Sequence, residues 1–155
     1  LILDNQQQRK ENLLFWLGGI IDGEGMVTII KRSSSKVKQN GWNPRVAIVN
    51  TDLIIINQAI ELLDYLGIPH YVQSKKNNRH PEWKIKYEII IQGIKRCYNS
   101  LPKLIPYLVG KKHKAENLLK FCDRRLKLPN HHPYETTDLE LIKNVRENKD
   151  IDLIN

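Results

Sequence analysis

Leu13, Leu14, Leu17, Ile20 and Ile21 recur at helical spacing and predict a first helix over residues 10–21. Gly25 then releases the chain into a strand, Met26-Val27-Thr28-Ile29-Ile30-Lys31-Arg32. A basic, serine-rich stretch over 33–39 leads to Asn40-Gly41, a pair that favours a tight hairpin turn, and a second strand is expected over 42–49. Thr51 or Asp52 caps the next helix, which carries Leu53, Ile56, Ile60, Leu63 and Leu66 on one face and stops at Gly67. Residues 71–76 and 83–92 read as another hairpin, joined through Asn77-Asn78-Arg79-His80-Pro81. The rest is helical: a short helix over 93–101, a turn over 102–108, a longer helix over 112–128 and, after a break at 129–133, a last helix over 137–148 capped by Thr137 or Asp138. The order αββαββα with C-terminal helices makes this an α+β fold. One domain is expected over 1–155, with its core over about residues 10–128 and a helical extension over about 129–155.

Strand alternation sorts side chains onto two faces of the sheet. Val27, Ile29, Val46, Ile48, Val72, Ile85, Tyr87 and Ile89 are expected to face the core. The opposite face would carry Thr28, Ile30, Arg32, Ser34, Asn43, Arg45, Gln73, Lys75, Asn77, Lys84, Lys86 and Glu88, with Lys36 and Lys38 in the loop beyond. An ordinary solvated sheet face would carry the same residues, so the pattern alone leaves its purpose open. Charge narrows the choice. The 155 residues hold 25 Lys and Arg against 17 Asp and Glu, a net charge of +8, with a pI near 9.5. Such a balance points to a polyanionic partner, with nucleic acid ahead of a membrane surface. The sequence has no apolar run of transmembrane length and no secretory signal pattern. It begins with Leu and has only Met26, so the reading frame is expected to start upstream.

The most informative chemistry lies where the first helix ends, at Asp22-Gly23-Glu24. Carboxylates at a helix C-terminus are disfavoured by roughly 0.3–1 kcal/mol, because the macrodipole is negative there. Two acids beside outward-facing carbonyls suggest oxygen ligands for a hard cation of the magnesium or calcium type. Gly19 and Gly23 form a small-xxx-small pair that lets a second helix approach closely.

Leu17-Gly18-Gly19-Ile20-Ile21-Asp22-Gly23-Glu24-Gly25 resembles the LAGLIDADG motif of homing endonucleases, with Gly for the first Ala, Ile for the second Leu and Glu for the second Asp. The motif occurs once, and the αββαββα order is also that family's core. The resemblance implies a homodimer that binds a long, pseudo-palindromic duplex through two saddle-shaped antiparallel sheets. Two such sheets would place Thr28 to Glu88 of the polar face against double-stranded DNA. Cleavage would be a metal-dependent, staggered double-strand break leaving short 3′ overhangs, with magnesium as cofactor and calcium supporting binding without cleavage. By position in the motif, Glu24 is the metal ligand and Gly23 offers its carbonyl. Asp22 stands beside them as a further ligand or as a structural residue near the dimer seam, which Leu17, Gly18, Gly19 and Asp22 would form.

Ile48-Val49-Asn50-Thr51-Asp52 is similar to the junction where the family places a water-orienting polar residue, Asn50 or, one residue on, Thr51. Pro106-Tyr107-Leu108-Val109-Gly110-Lys111-Lys112-His113-Lys114-Ala115 resembles the family's Pro-aromatic-Leu stretch and its lysine cluster. There Lys111 would polarise the scissile phosphate or its water, with Lys112, His113 and Lys114 on backbone phosphates. The three expected catalytic residues are therefore Glu24, Asn50 and Lys111. Two rival roles for the same fold are an intron-encoded RNA maturase and a DNA-binding protein that no longer cuts. The implied compartment is intracellular, an organelle or a prokaryotic cytoplasm.

Other motifs carry less. Asn130-His131-His132 lies between Pro129 and Pro133 and reads as a loop, and His70 and His80 stand singly. Cys97 and Cys122 lack metal-ligand spacing and are expected to be partly buried, reduced thiols. No nucleophile elbow, Walker loop or dinucleotide fingerprint is present. Trp16, Trp42 and Trp83 are expected to pack in the core or the hairpins.

Overall fold

The computed structural model describes residues 2–32 and 41–147. Its elements are α1 (Ile2–Glu24), β1 (Gly25–Lys31), β2 (Trp42–Asn50), α2 (Leu53–Tyr65), β3 (Tyr71–Lys75), β4 (Lys86–Gln92), α3 (Ile94–Leu104), a 3-10 turn (Ile105–Tyr107), α4 (Lys112–Leu126) and α5 (Thr136–Arg146). The strands form one sheet in the order β1-β2-β4-β3, antiparallel at every step. The α+β, αββαββα reading therefore holds.

One sheet face is apolar. Val27, Ile29, Val46, Ile48, Ile89 and Ile91 join Leu17 and Ile21 of α1, Ile56, Leu62 and Leu63 of α2, and Leu118 and Phe121 of α4 in a continuous buried cluster. α5 shares this core through Leu141, Ile142 and Val145. Its Asp138 is fully buried and accepts from Arg124 at 3.1 Å, with Arg125 3.5 Å away. Cys97 and Cys122 are free and buried within the cluster, deeper than expected. Burial pushes the Cys97 thiol up to about 12 and Cys122 higher still, so both stay protonated.

The boundaries differ from expectation where no apolar pattern marks them. α1 starts at Ile2 rather than residue 10, because its first turns are polar and exposed but rich in good helix formers such as Gln7, Arg9 and Lys10. It also runs on to Glu24, so both acids of the signature lie in its last turn. Asp52 caps α2, accepting from the Ile54 N–H at 2.8 Å, and Gly67 ends it in the left-handed conformation at φ +66°. Leu53 stands 47% exposed rather than on the buried face of α2. Pro102 does not stop α3, which continues to Leu104. α5 is capped by Glu135 in a reciprocal box with Asp138, not by Thr137 or Asp138.

β4 begins at Lys86 instead of residue 83, since Trp83 sits in a turn closed by its N–H on His80 O at 3.0 Å and stacks on the His80 ring. Trp83 is accordingly half-exposed, unlike Trp16 and Trp42, which pack against the core. Val72 and Ile85 are not core residues. They are 43% and 41% exposed, because β3 packs chiefly on β4 rather than under the helices that cover β1, and Ile85 precedes β4.

Candidate active site and nucleic-acid interface

The end of α1 is fixed by its own chain. A Cβ on Gly18 would lie 1.9 Å from the Tyr107 carbonyl oxygen, so only glycine lets the 3-10 turn press against the helix here. The loop that follows this turn is tied back twice. The Asp22 carboxylate accepts from the Val109 and Lys111 N–H groups, each at 2.8 Å. In return, Lys111 Nζ donates to the carbonyls of Ile21, at 3.0 Å, and of Asp22. The helix-end carbonyls that lack an intrahelical donor thus receive a cation, which offsets the adverse placement of acids at this terminus. Burial lowers Lys111 below the ordinary lysine value, the Asp22 charge opposes that, and Lys114 reinforces it.

This geometry corrects several expectations. Asp22 spends both carboxylate oxygens on backbone N–H groups and so ties two segments together, as its structural alternative expects. Leu17 is fully buried in the core and Gly18 faces Tyr107, so neither lies on a surface another copy could reach. Lys111 reaches helix carbonyls rather than standing free beside a phosphate. Gly19, by contrast, is exposed with nothing within 4 Å of an added Cβ, and Gly23 is equally open. Phe15, one turn before Gly19, is 56% exposed and touches the Tyr107 ring edge-on.

Glu24 points away from this joint. Antiparallel pairing of β1 with β2 sets Gly25 opposite Ile48, which brings the end of α1 beside the end of β2. There Asn50 Nδ2 donates to Glu24 Oε2. The Asn50 amide is oriented from its other side, where Oδ1 accepts from the Asp52 N–H at 2.8 Å. The α2 cap, Asn50 and Glu24 therefore form one chain of hydrogen bonds ending in an exposed carboxylate.

Whether this set suits a divalent ion follows from its donors. Glu24 offers hard oxygen, but the carbonyls of Ile21 and Asp22 already serve Lys111. Among the described residues no three His, Cys, Asp or Glu gather in a way that could hold a metal ion. One copy therefore fits as part of an oxygen-ligand site, not as a whole one.

The sheet face opposite the core carries Thr28, Ile30, Asn43, Arg45, Gln73, Lys75, Lys86 and Glu88, as alternation predicts. Arg32 follows β1 and is exposed, its N–H donating to Gly41 O at 2.7 Å. Asn77 and Lys84 are not strand residues. Asn77 accepts from the N–H groups of Arg79 and His80 and shapes the β3–β4 turn, and Lys84 flanks an open basic hollow of about 400 Å³ with Lys76, Arg79 and Trp83. Ser34, Lys36 and Lys38 lie outside the described residues. The same face also holds Met26, Ala47, Val49, Tyr71, Ile90 and Gln92, which a search for polar residues passed over although period two marks them.

On α4, Lys112 and His113 are exposed in the first turn and Lys114 is half-buried. The His113 ring and carbonyl both face the Asn117 amide, at 3.2 and 2.8 Å. His80 has the partner that the sequence did not show, Glu82 at 3.2 Å.

No family model matches the chain. An uncharacterized protein of Methanocaldococcus jannaschii is 35% identical over 68 residues, 44% of this chain. The match spans 24% of that curated relative, about a quarter of its length. Solved structures match over far more. The homing endonuclease I-CvuI, in complex with its target and calcium, has a TM-score of 0.63 at 18% identity, over 91% of this chain and 87% of its own. The archaeal intron-encoded homing endonuclease I-Vdi141I, complexed with DNA, has 0.60 at 14%, over 90% and 81%. The LAGLIDADG homing endonuclease I-GzeII, in complex with its DNA target, has 0.59 at 13%, over 85% of this chain but 42% of its own. With one signature closing α1 beside a four-stranded antiparallel sheet, and this architecture shared over 85–91% of its length, the chain has the LAGLIDADG homing-endonuclease fold.

Proposed function

We propose that this chain is a site-specific double-stranded DNA endonuclease that works as a pair of copies. The observation that carries the reading is the Glu24 carboxylate, held by Asn50 at the exposed end of α1 and flanked by a polar, basic sheet face. Lys86 on that face, with Lys112 on α4, supplies the phosphate contacts that dominate affinity for a duplex. Arg45, Gln73 and Asn43 are of the residue types that read base edges.

Pairing completes what one copy lacks. The open helix face at Gly19 and Gly23 is a seat for the same face of a second α1, which would bring two Glu24 residues together, one for each DNA strand. The fit of this chain to 87% of I-CvuI but 42% of I-GzeII suits a unit that occurs singly or as half of a longer chain. Glu24 is the residue that would hold magnesium, which activates water and neutralises charge on the leaving oxygen. Asn50 keeps that carboxylate aimed, and the Asp22–Lys111 tie keeps the helix end rigid beneath it. A staggered cut with short 3′ overhangs at a pseudo-palindromic site is the expected product.

One observation favours a second reading, a duplex-binding protein that does not cut. The Lys111 amine is already engaged by the α1 carbonyls rather than free to polarise a phosphate. Selection from a randomised duplex library separates the two. With calcium as a binding control, the nuclease reading expects cuts at one sequence in magnesium, lost in Glu24→Gln while binding persists. Enrichment in both metals without any cut would leave the binding protein.

A further inference from the structure

A carboxylate sits where a polyanion is expected to dock. Glu88 lies on the open face of β4, yet its side chain is only 9% exposed. Arg45 Nη2 bonds to Glu88 Oε1, while Glu88 Oε2 accepts from Gln73 at 2.7 Å and lies 3.2 Å from Lys75 Nζ. The register shows how far this cluster reaches. Arg45 is opposite Gln92 and Glu88 is opposite Val49, so the Ala47–Ile90 pair lies between them. The Arg45–Glu88 bridge therefore crosses over that pair. It accounts for Ala47 and Ile90 being 1% exposed while belonging to the face away from the core. Arg45 Nε is buried with no hydrogen-bond partner, and the side chain is only 16% exposed, so the arginine does not project freely from the face.

We propose that Glu88 is the positioning residue of a preset base-reading unit, holding Arg45, Gln73 and Lys75 in one arrangement where the sheet meets the duplex. The proposal rests on the DNA-binding reading above and adds a division of labour within the face. Long cationic side chains left free would swing to phosphates, which bind every sequence alike. Tethered to a carboxylate, they meet the grooves with fixed donors and with their rotamer freedom already lost. Glu88 thus lowers affinity for arbitrary DNA and raises discrimination at the base pairs beneath it. Its ionisation is secured locally. Burial pushes the carboxyl up, but the hydrogen bonds from Gln73 and Lys75 and the charges of Arg45 and Lys75 hold it below the ordinary value.

The test compares the wild type, Glu88→Gln and Asp123→Asn in duplex selection with calcium, scoring preference at each base pair and the salt dependence of binding. Asp123→Asn removes the same charge from α4, outside the sheet. Glu88→Gln is expected to bind random duplex more tightly. Its preference should fall by about tenfold at one or two mirrored positions in each half-site, with other positions and the Asp123→Asn profile unchanged. Should Glu88→Gln fail to melt as a folded protein, Glu88→Asp, which keeps the charge but shortens the reach to Arg45 and Gln73, carries the same comparison at each base pair. A wild-type profile retained at every position, or flattened equally by Asp123→Asn, overturns the proposal alone. A wild type that enriches no sequence at all overturns it together with the DNA-binding reading.

Discussion

Alanine at Gly18 would set its Cβ 1.9 Å from the Tyr107 carbonyl, and neither backbone can retreat without opening the core. Gly18→Ala is expected to destabilise the fold by about 1–3 kcal/mol. Gly19→Ala, one residue on, meets nothing within 4 Å and should gain up to about 1 kcal/mol of helix propensity within a single copy. Denaturant melts of the two variants at low protein concentration check the contrast. Lys111 and Lys112 make a second adjacent pair with opposite duties. Lys111→Met strips the donor from two helix-end carbonyls and should cost about 1–3 kcal/mol. Lys112→Met leaves stability nearly unchanged and should reduce the slope of log affinity against log salt by about one. Neighbours of this kind look alike in the sequence. The signature marked Glu24 and the junction marked Asn50, and the structure does bring those two together. It could not mark Asp22 and Lys111 as partners, because the tie joins positions 89 residues apart.

Among elements, strand alternation was legible wherever helices cover the strand, as they do on β1, β2 and β4. Val27, Ile29, Val46, Ile48 and Ile89 face the core as their spacing requires. The pattern failed on β3 at Val72 and ahead of β4 at Ile85, since period two gives the face of a residue and not what covers it. Helix ends showed the same limit. The polar start of α1 and the Glu135 cap of α5 depend on propensity and local hydrogen bonds, which leave no apolar trace.

The sheet face supplies a pH test at this scale. Glu88 is held below its ordinary value of 4.5 in the fold, so its contribution is complete above that value and fades as pH falls through the folded one. The stability gap between the wild type and Glu88→Gln should stay constant from neutral pH down to about pH 5 and shrink below it. Urea melts at pH 7 and pH 3.5 measure the gap.

At the scale of the whole molecule, the proposed pairing of two copies draws on the open seat on α1, in a chain whose net charge is +8. Gly19→Arg should leave the thermal melt of a single copy close to wild type. It should weaken self-association by at least about tenfold, because a bulky charge fills the helix seat. Sedimentation equilibrium with and without duplex reads this directly. An unchanged mass would place the second copy elsewhere.

The reciprocal tie at the end of α1 has a consequence for how this chain can vary. One glycine separates an acid addressed inward from an acid addressed outward. Position 22 answers to folding and, in the proposed function, position 24 to chemistry, so the two are separable in a way their neighbouring letters conceal. A saturation library at 24 should return folded proteins of graded activity. The same library at 22 should return few folded proteins, with survivors arising when the 109–111 loop is diversified alongside it.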